Sequence, residues 1–196
     1  MGLVIFYKFV KTEFPLLQLF KKYKSVLRFI LIFLGSYFLF SILYNGYLEF
    51  FQSQKYYPDF FTHLVAVQSE TIIESLGYTA KVLPHQQELS MKLFINNVFL
   101  ARVVEGCNAI SIIILFTSFV LSFFAKIKPT FLFILAGTVI IYGMNIVRIA
   151  ILAIGIYKYP QHSEFLHSIV FPLIIYGTVF LLWIIWVRIF SKISAL

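Results

Sequence analysis

The chain has 196 residues, of which 61% are hydrophobic, 19% aromatic and only 12% charged. Soluble domains carry roughly twice that share of charge, so this chain has too little polar surface to fold as a soluble globule. Its net charge is +8 and it holds one cysteine, which excludes an intrachain disulfide and any Cys-x-x-Cys metal site. The basic residues flank apolar runs, so they read as topology signals and lipid head-group contacts, with no nucleic acid as partner.

Residues 29–48 carry no charge and form the first predicted span. Before it stand Lys8, Lys11, Lys21, Lys22, Lys24 and Arg28, opposed only by Glu13. So long a basic region, with no Ala-x-Ala-like site after the apolar run, predicts a retained signal anchor.

Residues 49–105 form an outer segment. Asp59 is placed to cap a helix. Phe61, Leu64, Val65, Ile72, Ile73 and Leu76 recur at helical spacing, and Gly77 supplies a stop. The spacing predicts an amphipathic helix over 60–76, lying on the outer leaflet. Thr79–Leu83, Ser90–Ile95 and Val98–Val104 read as short strands, and Asn96-Asn97 reads as a hairpin turn that tolerates positive φ.

Three further uncharged runs complete the chain: 106–125, 129–147 ending at Arg148, and 168–187. Each is about the 20 residues that cross a bilayer. The expected fold is mainly α: one polytopic membrane domain, residues 1–196, with about four transmembrane helices, a small outer amphipathic helix and a β-hairpin. Residues 49–105 hold four Lys/Arg against six Asp/Glu, whereas the N-terminal segment, the 126–128 turn and the C-terminus are basic. The positive-inside rule puts both termini in the cytoplasm.

That topology brings Cys107, Arg148 and His167 to the outer ends of three different spans. Singly, each has a structural reading: a small core thiol, an arginine snorkelling to the interface, an interfacial histidine. Jointly they suit nucleophilic chemistry. A thiolate attacks, a histidine moves the proton, and a permanently charged guanidinium stabilises the oxyanion. Glu164, one helical turn before His167, is placed to orient its ring. Glu105 would oppose thiolate formation if it stayed close and ionised, so its role is open. No residues suggest a cofactor or a metal site. A non-catalytic scaffold or export-complex subunit is the rival reading, and it predicts that Cys107 is replaceable. A transporter is disfavoured, because no pair of spans shows matched mid-depth Gly/Pro breaks.

Glu105-Gly106-Cys107-Asn108-Ala109-Ile110-Ser111, then Asn145-Ile146-Val147-Arg148, then Glu164-Phe165-Leu166-His167 resemble the exosortase/archaeosortase family. The likeness is closest to the short F-type exosortases of Gram-negative bacteria and covers about Phe94 to Val187. The resemblance implies a cysteine transpeptidase at the membrane boundary, with Cys107 as nucleophile and Arg148 and His167 as its catalytic partners. Asn108 and Asn145, like Glu105 and Glu164, enter as supporting residues. His162 does not align with a family position. The resemblance also implies a protein substrate whose C-terminus carries a short motif, an apolar helix and a basic tail, and an envelope lipid or glycan as possible acceptor. It further implies a site on the periplasmic side of the inner membrane. Many members read Cys-Ser-Gly-Leu-Arg where this chain has Cys107-Asn108-Ala109-Ile110-Ser111, and many are longer, with about eight spans.

Overall fold

A computed structural model describes residues 22–50, 57–124 and 126–194. The basic residues Lys8, Lys11 and Lys21, together with Glu13 and positions 51–56 of the outer segment, lie outside the described residues.

The first predicted span is helix α1, Lys24–Phe50. None of its side chains is fully buried, as suits a helix whose surface is mostly apolar and turned to lipid. Phe29 anchors it at one end, packing edge-on to Phe119 at 6.0 Å and tilted against Phe123 at 4.7 Å.

Helix α2 follows at Phe60–Ser75. Asp59 caps it as expected, its carboxylate accepting from the amides of Phe61 and Thr62 at 3.0 and 3.1 Å. Gly77 closes it at φ 88°. The helix does not spread its apolar side over a surface. Its buried stripe is Thr62, Val65, Ala66, Ser69 and Ile73, at helical spacing, while Leu76 is exposed. Two polar residues enter that stripe because the face packs into protein.

Strands β1 (Ala80–Pro84), β2 (Ser90–Ile95) and β3 (Val98–Val104) form one antiparallel sheet in the order β1-β2-β3. Asn96 and Asn97 take φ of 49° and 65°, the left-handed pair that a tight hairpin turn requires.

Beyond β3 the chain makes a single 3₁₀ turn, Glu105–Cys107, before helix α3 at Ile110–Ser122. The second predicted span is therefore shorter than its uncharged run. Thirteen residues extend about 20 Å, against the ~30 Å of a bilayer core. The physical reason lies at its start. Asn108 Oδ1 accepts the Ile110 amide at 3.0 Å, and Ala109 takes φ 65°, so no helix continues back through Cys107. A left-handed alanine costs roughly 1–2 kcal/mol.

Helix α4, Ile127–Lys158, is the longest element at 32 residues. Its first ~20 residues suffice to cross a bilayer, which leaves Arg148 near the membrane boundary opposite the Lys126 end. The sequence predicts a span ending at Arg148, but the helix runs ten residues further, to Lys158. A charge does not stop a helix. Ile149, Ala150 and Ala153 continue the apolar face and pack with Val65 of α2 and Leu93 and Ile95 of β2, and the break waits for Pro160. The end of α4 is thus the pillar on which α2 and the sheet stand. Asn96 Nδ2 donates to Tyr157 Oη at 3.1 Å, and Tyr142 Oη donates to Gln68 at 2.6 Å.

After short turns at Pro160–His162 and Ser163–Phe165, a π-helical turn (Leu166–Val170) leads into helix α5, Phe171–Ser194. His167 therefore sits inside a continuous helical run, in its widened turn, rather than just ahead of a span. A second core joins α3, α4 and α5 through Phe116, Val120, Ile141, Ile175, Val179 and Trp186. Here Gly137 is required by close approach, since a Cβ would lie 2.2 Å from the Phe116 ring. Among the described residues, the helices long and apolar enough to cross a membrane are α1, α4 and the run Pro160–Ile189. With them, the protein is a mainly-α, polytopic membrane protein carrying a small three-stranded sheet.

Candidate active site

The sheet, the turn at Cys107, the end of α4 and the run into α5 surround an open cavity of about 910 Å³. Cys107, Glu164, His167 and Phe171 all line it. The thiol is half-buried and the imidazole exposed toward the opening. The three sequence-predicted partners are reached differently from the expected layout. Cys107 and His167 share the cavity, but no direct hydrogen bond joins them among the described residues. Arg148 lies behind them.

Arg148 is 5% exposed, and its guanidinium carbon stands 3.5 Å from the centroid of the Phe171 ring. Its Nε has no hydrogen-bond partner, and no carboxylate pairs with it among the described residues. A buried cation without a carboxylate is costly in a low-dielectric setting, and it is correspondingly strong toward any negative charge that develops beside it.

Phe171 also stacks on His167, with ring centroids 5.3 Å apart and planes at 27°. One aromatic ring therefore orients both the imidazole and the guanidinium. Sequence reasoning missed it. The available signal is its spacing, four residues after His167, which puts the two on one helix face. The widened π turn places both rings toward the cavity, and such turns recur at functional sites.

Asn145 holds the nucleophile's backbone. It is fully buried, and its Nδ2 donates to the Cys107 carbonyl at 2.7 Å. Asn108 holds the turn to the rest of the protein, its Nδ2 donating to Tyr44 Oη at 2.6 Å and Thr62 Oγ1 at 3.2 Å. Both asparagines thus fix the position of Cys107 without facing the cavity.

The two carboxylates behave otherwise than expected. Glu164 lies on the cavity wall but makes no hydrogen bond to His167, whose ring is oriented by Phe171 instead. Glu105 lines a separate cavity of about 350 Å³, with Tyr44 and Ser111, on the far side of the turn. Burial, with the nearby Asp59 charge, raises its carboxyl above the usual carboxylate range. His162 is exposed, contacts Tyr159 edge-on at 6.4 Å and does not line the thiol cavity.

This arrangement can carry a covalent acyl transfer, with a nucleophile and a proton carrier on one opening and a cation stacked behind them. The family model described as transmembrane exosortase matches residues 16–187, which include every one of these groups. No curated protein and no solved structure matches the chain.

Proposed function

The chain belongs to the transmembrane exosortase family, and from that premise we propose that it is a membrane cysteine peptidase or transpeptidase. Its substrate is the C-terminal sorting signal of an exported protein: a motif, an apolar helix and a basic tail. The observation that carries this reading is the shared cavity of Cys107 and His167, with the Arg148 guanidinium stacked behind it on Phe171.

The chemistry follows from the groups present. His167 takes the Cys107 proton, and the thiolate adds to the scissile carbonyl. Arg148 stabilises the oxyanion that forms. Collapse to the thioester expels the leaving amine, which takes the proton back from His167. Water, or an amine or hydroxyl on an envelope lipid or glycan, then attacks the thioester and releases the thiol. The test is co-expression with an exported protein that ends in such a signal. Mass spectrometry should find the apolar helix and tail removed at one peptide bond, and an intact C-terminus would overturn the reading.

Cleavage belongs on the outer face of the inner membrane, with both termini cytoplasmic. The support is the basic turn at Lys126–Lys128 and the length of α4 from that turn to Arg148. Reporter fusions at residue 127 and at the C-terminus should report cytoplasm, and fusions at Asn97 and Tyr159 the outside. A cytoplasmic Asn97 would place the thiol in the wrong compartment and sink the assignment.

A further inference from the structure

Strand β3 ends the sheet, and its outer edge has no backbone partner among the described residues. The thiol cavity is lined by Phe99, Leu100, Ala101, Arg102, Val103 and Val104 without a gap. Side chains of a strand alternate between two faces, so a cavity that meets six in succession faces the strand's edge. The strand has no proline and a single charge, Arg102, and its edge is interrupted only by the irregular register at Leu100. It then runs through Glu105 and Gly106 directly to Cys107.

We propose that the substrate's motif binds as an added strand on the free edge of β3, with its scissile carbonyl delivered to Cys107. This rests on the catalytic reading above and gives it a recognition mode. Seven residues of edge offer about 23 Å, enough for five or six extended substrate residues. Main-chain hydrogen bonds supply the affinity, and the apolar wall formed by Ile149, Leu152 and Ala153 of α4 meets alternate side chains. The direction is fixed as well. The Val98 end of β3 is tied to Tyr157, near the outer end of α4, through Asn96. The Val104 end arrives at Asn145 through Cys107, about 18 Å lower along the same helix. Strand β3 therefore descends toward the membrane. A substrate whose motif precedes its membrane helix descends too, so the added strand pairs parallel to β3.

The test uses backbone N-methylation, which removes a main-chain donor and leaves the side chain intact. The substrate is the exported protein that retains its tail in cells carrying Cys107→Ala. The probe is a synthetic peptide spanning its motif, apolar helix and basic tail, N-methylated at one motif position at a time. The full chain is reconstituted in phosphatidylethanolamine/phosphatidylglycerol vesicles. A strand donates to its neighbour at every second residue. Methylation should therefore lower kcat/KM about tenfold or more at alternate positions upstream of the scissile bond, and by less than about threefold at those between, since both a hydrogen bond and its close approach are lost. Cleavage with a flat profile, or with sensitivity only next to the scissile bond, would overturn strand addition and leave the catalytic reading standing. Failure of the unmethylated peptide to be cleaved by the wild-type chain would overturn both.

Discussion

Cys107→Ala is expected to abolish removal of the sorting tail while the protein still inserts and folds. Losing the nucleophile closes the covalent route altogether, and in cysteine or serine peptidase chemistry that is worth on the order of 10⁴-fold or more in rate. The structural cost is small by comparison. The thiol is half-buried and makes no hydrogen bond among the described residues, and the turn that carries it is held by Asn145 on its carbonyl and by Asn108 on Tyr44 and Thr62. Removing one sulfur from such a site costs about 1 kcal/mol or less. The measurement pairs immunoblotting of the exported protein with the detergent-phase melting curve of the variant. Hydroxylamine added to the wild type should divert the thioester to a C-terminal hydroxamate, and none should form with Cys107→Ala. Full processing by a folded Cys107→Ala protein would favour a non-catalytic scaffold instead.

How far this site was legible depends on what kind of signal each residue leaves. The hairpin was legible because Asn96-Asn97 states a backbone conformation outright, and the strands on either side fall where alternation and turn chemistry put them. The cap at Asp59 was legible for the same reason. The length of α4 was not, because Arg148 looked like the end of an apolar run. What continues the helix is the packing of Ile149, Ala150 and Ala153 under a sheet more than 40 residues earlier in sequence. The break between Cys107 and α3 was hidden too, since nothing in Asn108-Ala109 alone demands a left-handed alanine. The separation of Glu105 from the thiol follows from that break: the 3₁₀ turn sends Glu105 and Cys107 to different cavities. Spacing along a chain located the three candidate catalytic residues, but only the fold shows that Phe171 stands between two of them.

That ring makes the roles of Arg148 and His167 separable. Arg148→Lys keeps the charge but loses the planar guanidinium that lies 3.5 Å over Phe171, and with it the fork of donors suited to an oxyanion. Activity should fall about 10²–10³-fold, the usual effect of removing one oxyanion donor, with the loss in kcat rather than KM. His167→Gln keeps a polar side chain of similar reach but cannot carry a proton, so kcat should fall about 10²–10⁴-fold, and the pH dependence of any residual activity should change. Phe171→Leu supplies the discriminating variant. It removes no titratable group and no charge, yet it takes away the contact that orients both partners. A positioning role predicts roughly a tenfold loss in kcat with the pH profile unchanged in shape, because the imidazole is kept but samples unproductive rotamers. The readout is kcat and KM against pH for the reconstituted chain, with the melting curve of each variant as control. Wild-type kcat in Arg148→Lys would show that charge alone suffices and that the stacked geometry has no part in catalysis. An unaltered pH profile in an active His167→Gln would assign the proton transfer to another group.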